Sequence, residues 1–254
     1  MDFDLQDFLS DWEFDPDSNL RHVVDGSGRE YIQLRLEQGA FSGILQMELD
    51  GRPDSRKPHD YDFALDYYQE KHTILKDQNK EKTFSLNHLQ CKELFEESEL
   101  LYERYSFLLQ IADYKRVIRD TEQNMELFRF VNTHAKYKDD ADYLERWWPY
   151  ILRINGTALA MDLVQRESAL EALELIKSTI DEICALENRD IEEYQLERES
   201  SLEALGDLYK QVEKNRTLSP EETIEKELDD ALKSEDYEKA AKIRDIIEAT
   251  RKEA

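Results

Sequence analysis

A mainly α-helical fold with a small N-terminal antiparallel β-meander is what this sequence predicts, on three observations. Glycine and proline are scarce, 7 and 5 in 254 residues, and charged side chains make up 37%, which suits helices better than a sandwich or barrel. Strict period-two alternation of apolar residues is confined to residues 20–50. Elsewhere apolar positions recur at helical spacing, in arms separated by short polar breaks.

The first twenty residues mix acids with large apolar side chains. Leu5, Phe8, Leu9 and Trp12 fall at i, i+3, i+4 and i+7, so a short helix there has one apolar and one acidic face. Two readings fit: a terminal helix packed on its own domain, which we favour, and a docking peptide for a partner groove. In residues 20–50, the turn cluster Asp25-Gly26-Ser27-Gly28 separates LRHVV from REYIQLRLE, and GILQMELD comes next as a third run. Three antiparallel strands are expected. A sheet this small needs one face on helices.

Residues 50–68, DGRPDSRKPHDYDFALDYY, are the least periodic stretch. Asp50-Gly51 forms a turn, two prolines stiffen the chain beyond it, and Arg52, Arg56, Lys57 and His59 make a rare cationic cluster. It is either a rigid strand-to-helix connector whose cations pair with nearby acids, or an anion-binding site, since guanidinium groups grip carboxylates and phosphates with two parallel bonds.

Residues 85–135 read as two helices, with Leu94, Phe95, Leu101, Tyr105, Leu108 and Leu109 on one face, a turn at Ala112-Asp113-Tyr114, and Val117, Ile118, Met125, Leu127 and Phe128 on the return. After the charged KYKDDAD the pattern recurs, breaking at Arg166-Glu167-Ser168. This helix, short turn, helix layout, with small residues at Ala160, Ala172 and Thr179, resembles tetratricopeptide (TPR) repeats. The turns at Asp113 and Glu167 stand 54 residues apart, against about 34 in that repeat, so these are TPR-like hairpins and not a regular array. Trp147-Trp148-Pro149-Tyr150 either fills the core or lines a peptide groove between such helices. One long, narrowly striped helix is expected over residues 188–215, with Ile191, Leu202, Leu205, Tyr209 and Val212 as its apolar positions.

The last stretch starts with Ser219 as a helix cap, Pro220 at the first helical position and Glu222 three residues after the cap. Ile224, Leu228, Ala231 and Leu232 form one apolar stripe, Ser234-Glu235-Asp236 breaks it, and a second runs from Tyr237 through Ile247. The order ALKSEDYEKAAKIRDII closely resembles the UVR motif, the C-terminal UVR-type helical hairpin of UvrB, also found inside UvrC and in several bacterial stress regulators. Those proteins share it as a docking device, so the resemblance implies protein partners, either UVR-type helices or peptides, and allows self-association. Tyr237, Ala240, Ala241, Ile243, Arg244 and Ile247 are the expected partner-binding side chains.

A second resemblance rests on GREYIQLRLEQG, GILQMELDGRPD and RKPH, which look like the N-terminal signature of an uncharacterised family of bacterial UVR-motif proteins. The chain departs from that signature by extra residues around Phe41-Ser42 and by Ser55 where a glycine is usual. Three regions are then expected: a β-containing part over 1–84, a TPR-like helical part over 85–215 and the hairpin over 218–254.

A net charge of −25 disfavours broad nucleic-acid binding, because phosphates are repelled and no counterion release drives association. No P-loop, GxGxxG, GxSxG or HExxH pattern is present, and the helicase and nuclease motifs of UvrB and UvrC are missing. Cys91 and Cys184 form no CxxC pair, and His88 with Cys91 at i, i+3 supplies two ligands where a metal needs more. No catalytic residue, cofactor or metal is therefore expected. The acidic N-terminus is the opposite of a signal peptide, and no apolar run reaches membrane-spanning length. The expectation is a cytoplasmic bacterial interaction or adaptor protein. The alternatives are an accessory factor of nucleotide excision repair that binds UvrB or UvrC, and an enzyme or anion-binding protein with its site at Arg52–His59.

Overall fold

Three strands, β1 (Leu20–Val24), β2 (Glu30–Gln38) and β3 (Phe41–Glu48), pair antiparallel in chain order. They belong to a computed structural model that describes residues 8–217, 220–234, 236–239 and 241–244. The first turn is set by Asp25, whose carboxylate accepts from the Ser27 amide at 2.8 Å, the Ser27 hydroxyl at 2.6 Å and the Arg29 amide at 3.0 Å. Those donors hold its carboxyl far below the usual range, the Ser27 hydroxyl most strongly. The β2–β3 register places Ile32 opposite Met47, Leu34 opposite Leu45 and Gln38 opposite Phe41. β3 begins at Phe41, directly after the turn that ends β2 at Gln38. The face it shares with the helices is covered at one end only: Ile32 is 2% exposed, whereas Leu45 is 50% and Phe41 80% exposed. Towards the N-terminus, Leu9 is buried, Arg35 donates to its carbonyl at 3.2 Å, and Arg21 lies 4.1 Å over the Trp12 ring. These residues pack on their own unit; Leu5 lies outside the described residues.

The helices are α1 (Ala64–Asp77), α2 (His88–Gln110), α3 (Tyr114–His134), α4 (Lys138–Tyr143), α5 (Trp148–Gln165), α6 (Ala169–Ala185), α7 (Glu192–Asn215) and α8 (Pro220–Lys233). α2 opens on a capping box between Asn87 and Gln90. It ends in a tight turn in which Ala112 takes φ +58° and Asp113 caps α3 through the Arg116 amide. The α5–α6 turn uses Glu167 at φ +64°. Within KYKDDAD, where the sequence pattern predicts a break, α4 forms because Asp140 is buried and meets His88 Nδ1 at 2.8 Å. α7 starts at Glu192, with Tyr194, Ser201, Leu205 and Val212 buried on one side. Tyr194 and Ser201 had no place in its apolar stripe; the Tyr194 hydroxyl donates to the Glu187 carbonyl at 2.9 Å.

The main core joins sheet to helices: Ile32 and Leu49 pack with Tyr105, Leu108, Val117 and Ile154. A polar clamp lies beside it. Arg104, fully buried, grips Asp120 with two bonds of 2.6 and 2.8 Å and donates to the Glu48 and Gly51 carbonyls at 3.0 and 2.6 Å. Arg119 reaches the same turn, at Leu49 O and Asp50. α5 and α6 touch where Gly156 faces Thr179: a Cβ on Gly156 would stand 2.5 Å from the Thr179 hydroxyl oxygen. The chain divides into two compact units, Met1–Tyr209 and Lys210–Ala254. Among the described residues no helix is long and apolar enough to cross a membrane.

Candidate functional site

In the first unit, an aromatic pocket of about 370 Å³ opens among α2, α3, the 143–151 segment and Glu197. Phe95 stacks on Tyr143 with ring centroids 4.2 Å apart. Tyr102 stands edge-on to Tyr105 and tilted to Tyr150, both at 5.7 Å. Phe128 is buried, while Trp147 is 42% exposed. Burial raises the Tyr105 and Tyr150 phenols above their usual range, so both remain neutral hydroxyls. Among the described residues the polar lining is Ser98, Glu99, Asn124 and Glu197, with no lysine or arginine. Asn124 is 1% exposed; its Nδ2 donates to the Ser98 carbonyl at 3.2 Å, and its Oδ1 has no donor among the described residues. The aromatic run therefore divides: Pro149 is buried and Trp148 packs on Phe128, while Trp147 and Tyr150 line the pocket.

In the 50–62 connector, each cation already has a carboxylate. Arg52 binds Asp54 at 2.9 Å and Glu97 at 2.5 Å. Arg56 lies 3.8 Å from Asp54, Lys57 2.9 Å from Asp62 and His59 3.1 Å from Glu93. Glu97 is buried and also accepts from the Ala64 and Leu65 amides at 2.7 and 3.0 Å, capping α1. Burial pushes its carboxyl up, against the pull of those amides and of Arg52. Ser55, His59 and Asp60 take φ of +61°, +54° and +67°, left-handed backbone that favours glycine. In place of a free cationic cluster, the geometry makes Arg52 a strut between connector and α2. Elsewhere in this unit, Cys91 is buried, which raises its thiol to about 12, and His88 pairs with Asp140. Among the described residues no group of three or more His, Cys, Asp or Glu is placed to hold a metal.

The second unit contains α8 and a return arm that is helical over 237–239 and 241–244. Ala231 and Ile243 are buried together, with Ile224 and Leu228 packed against them. Asp236 starts the return arm, accepting from the Lys239 amide at 3.0 Å, and Glu238 pairs with Lys242 at 2.9 Å. Ile243 thus joins the two arms. Tyr237, Ala241 and Arg244 are exposed at i, i+4 and i+7 on another face, Tyr237 by 68%. Leu232 is also partly exposed, and Ala240 and Ile247 lie outside the described residues.

Residues 222–253 match the UvrB/uvrC motif. The match starts in α8 and takes in the whole described return arm. No curated protein and no solved structure matches the chain.

The UvrB/uvrC motif was legible because its signal is local: a capped arm, a polar break and a second stripe. The pocket was not. Its residues come from separate elements, and the one sequence clue besides the Trp147–Tyr150 run is the aromatic spacing Tyr102, Tyr105 at i, i+3 on α2.

Proposed function

We propose that the chain is a protein-interaction adaptor that docks partners through its C-terminal hairpin, acting in the bacterial cytoplasm. The observation that carries this reading is the UvrB/uvrC motif match over 222–253, in a unit compact by itself. Packing inside the hairpin supports a definite contact face. Ile243 is occupied with Ala231, so the face left for a partner is Tyr237, Ala241 and Arg244, extended by whatever Ala240 and Ile247 contribute. An exposed tyrosine beside an alanine suits a close-approaching helix, with Arg244 to orient it. The likeness of GREYIQLRLEQG, GILQMELDGRPD and RKPH to the start of other UVR-motif proteins supports the same reading.

The motif's own description favours a second, narrower reading, in which the partner is the matching hairpin of UvrB or UvrC and the protein is an accessory factor of excision repair. Titration calorimetry of the full chain against the isolated hairpin of UvrB, beside sedimentation of the chain alone, separates pairing with UvrB from self-association. Tyr237→Ala and Ala241→Glu should each abolish whichever association is seen while leaving helicity unchanged by circular dichroism. Association at wild-type strength in both variants would refute this contact face.

A further inference from the structure

The aromatic pocket of the first unit is independent of the hairpin, and its chemistry narrows what it can take. Among the described residues its lining carries two carboxylates, Glu99 and Glu197, and no lysine or arginine, so nothing in it attracts an anion. Glu197 is held in place by Arg153 at 3.4 Å and the Ser201 hydroxyl at 3.0 Å, whereas Glu99 is exposed to solvent. The rings present electron-rich faces. Two of them already attract guanidinium groups of this chain: Arg153 lies 4.9 Å over Tyr150, and Arg146 5.4 Å over Tyr143.

The matching ligand has an apolar body for the ring walls and a positive group for the ring faces and Glu99. A volume of about 370 Å³ suits one arylalkylamine or one long basic side chain.

We propose that this pocket binds a protonated amine or guanidinium carried on an apolar stem or ring, either as a free organic amine or as the basic side chain of a peptide. Titration calorimetry on the full chain tests it. The probes are phenethylamine, its neutral counterpart 2-phenylethanol, its anionic counterpart 3-phenylpropionate, benzyltrimethylammonium, and a blocked Phe-Arg dipeptide. Phenethylamine and the quaternary ion should bind, and the neutral and anionic probes should not. Stronger binding of the dipeptide assigns the site to a basic side chain, and stronger binding of phenethylamine assigns it to a free amine. Glu99→Gln and Trp147→Ala, both at exposed positions, should each weaken binding about three- to tenfold without unfolding the protein. The proposal is overturned if 2-phenylethanol or 3-phenylpropionate binds as well as phenethylamine, if no cationic probe binds at millimolar concentration, or if neither exposed variant changes the affinity.

Discussion

Arg104 and Asp120 meet as a two-pronged ion pair with essentially no solvent contact, Nε to Oδ2 at 2.6 Å and Nη2 to Oδ1 at 2.8 Å. The remaining donor of Arg104 closes on the Glu48 and Gly51 carbonyls, and Arg119 holds Asp120 from the other side. One guanidinium thus ties α2 to α3 and both to the turn that ends the sheet. Buried charges are tolerated when they are paired and hydrogen-bonded, as here.

Breaking that pair from one side should therefore cost more than removing it. Arg104→Met leaves a buried carboxylate partly uncompensated and is expected to destabilise the first unit by about 3–5 kcal/mol. Adding Asp120→Asn should recover part of the loss, because no charge then remains without its partner. Urea unfolding of the single and double variants decides it. A double variant as unstable as the sum of the singles would mean that the two side chains are not coupled.

Gly156→Ala tests the closest approach of α5 and α6. In a free helix this change stabilises by up to about 1 kcal/mol. Here the new Cβ would stand 2.5 Å from Thr179 Oγ1 and 2.6 Å from its Cγ2, so a net loss of about 1–3 kcal/mol is expected. Thr179→Ala in the same chain removes both atoms and should restore most of it. A lone Gly156→Ala that melts at or above wild type would show that the helices move apart freely.

His134 predicts a pH dependence. Burial, and then the neighbouring His72 ring at 4.4 Å, lower its pKa below the ordinary 6.5. The unfolded chain therefore takes up the proton first as pH falls. The stability this site contributes is whole above about pH 7 and is lost as pH drops through 6.5 towards the folded value. Melting temperatures at pH 7.5 and 5.5 should differ less in His134→Gln than in wild type, and equal differences would remove His134 as the cause.

In the UvrB/uvrC motif, Ile243→Glu should act unlike Tyr237→Ala. Ile243 is buried with Ala231, so a carboxylate there is expected to cost about 3 kcal/mol or more, enough to open a hairpin with so small a core. Hydrogen exchange should then show lost protection over 220–244 and unchanged protection over 88–165. Tyr237→Ala should leave both intact.

Periodicity by itself determined much of this protein. Alternation of Ile32, Leu34 and Leu36, with the turn cluster at 25–28, marked the meander, and the helical stripes marked the arms on either side of Asp113 and Glu167, because each pattern is written in neighbours along the chain. The hairpin was readable for the same reason. Tertiary structure decided how the polar residues are used. In sequence, Arg52 fitted either an ion-paired connector or an anion site, and the partner it takes, Glu97, lies 45 residues away. KYKDDAD shows only charge in sequence, whereas its Asp140 meets His88 across 52 residues. The aromatic pocket gathers Phe95, Asn124, Trp147 and Glu197 from segments that share no pattern. A charge or an acceptor gains its meaning from the partner that replaces water, and that partner is set by folding in space and not by position along the chain.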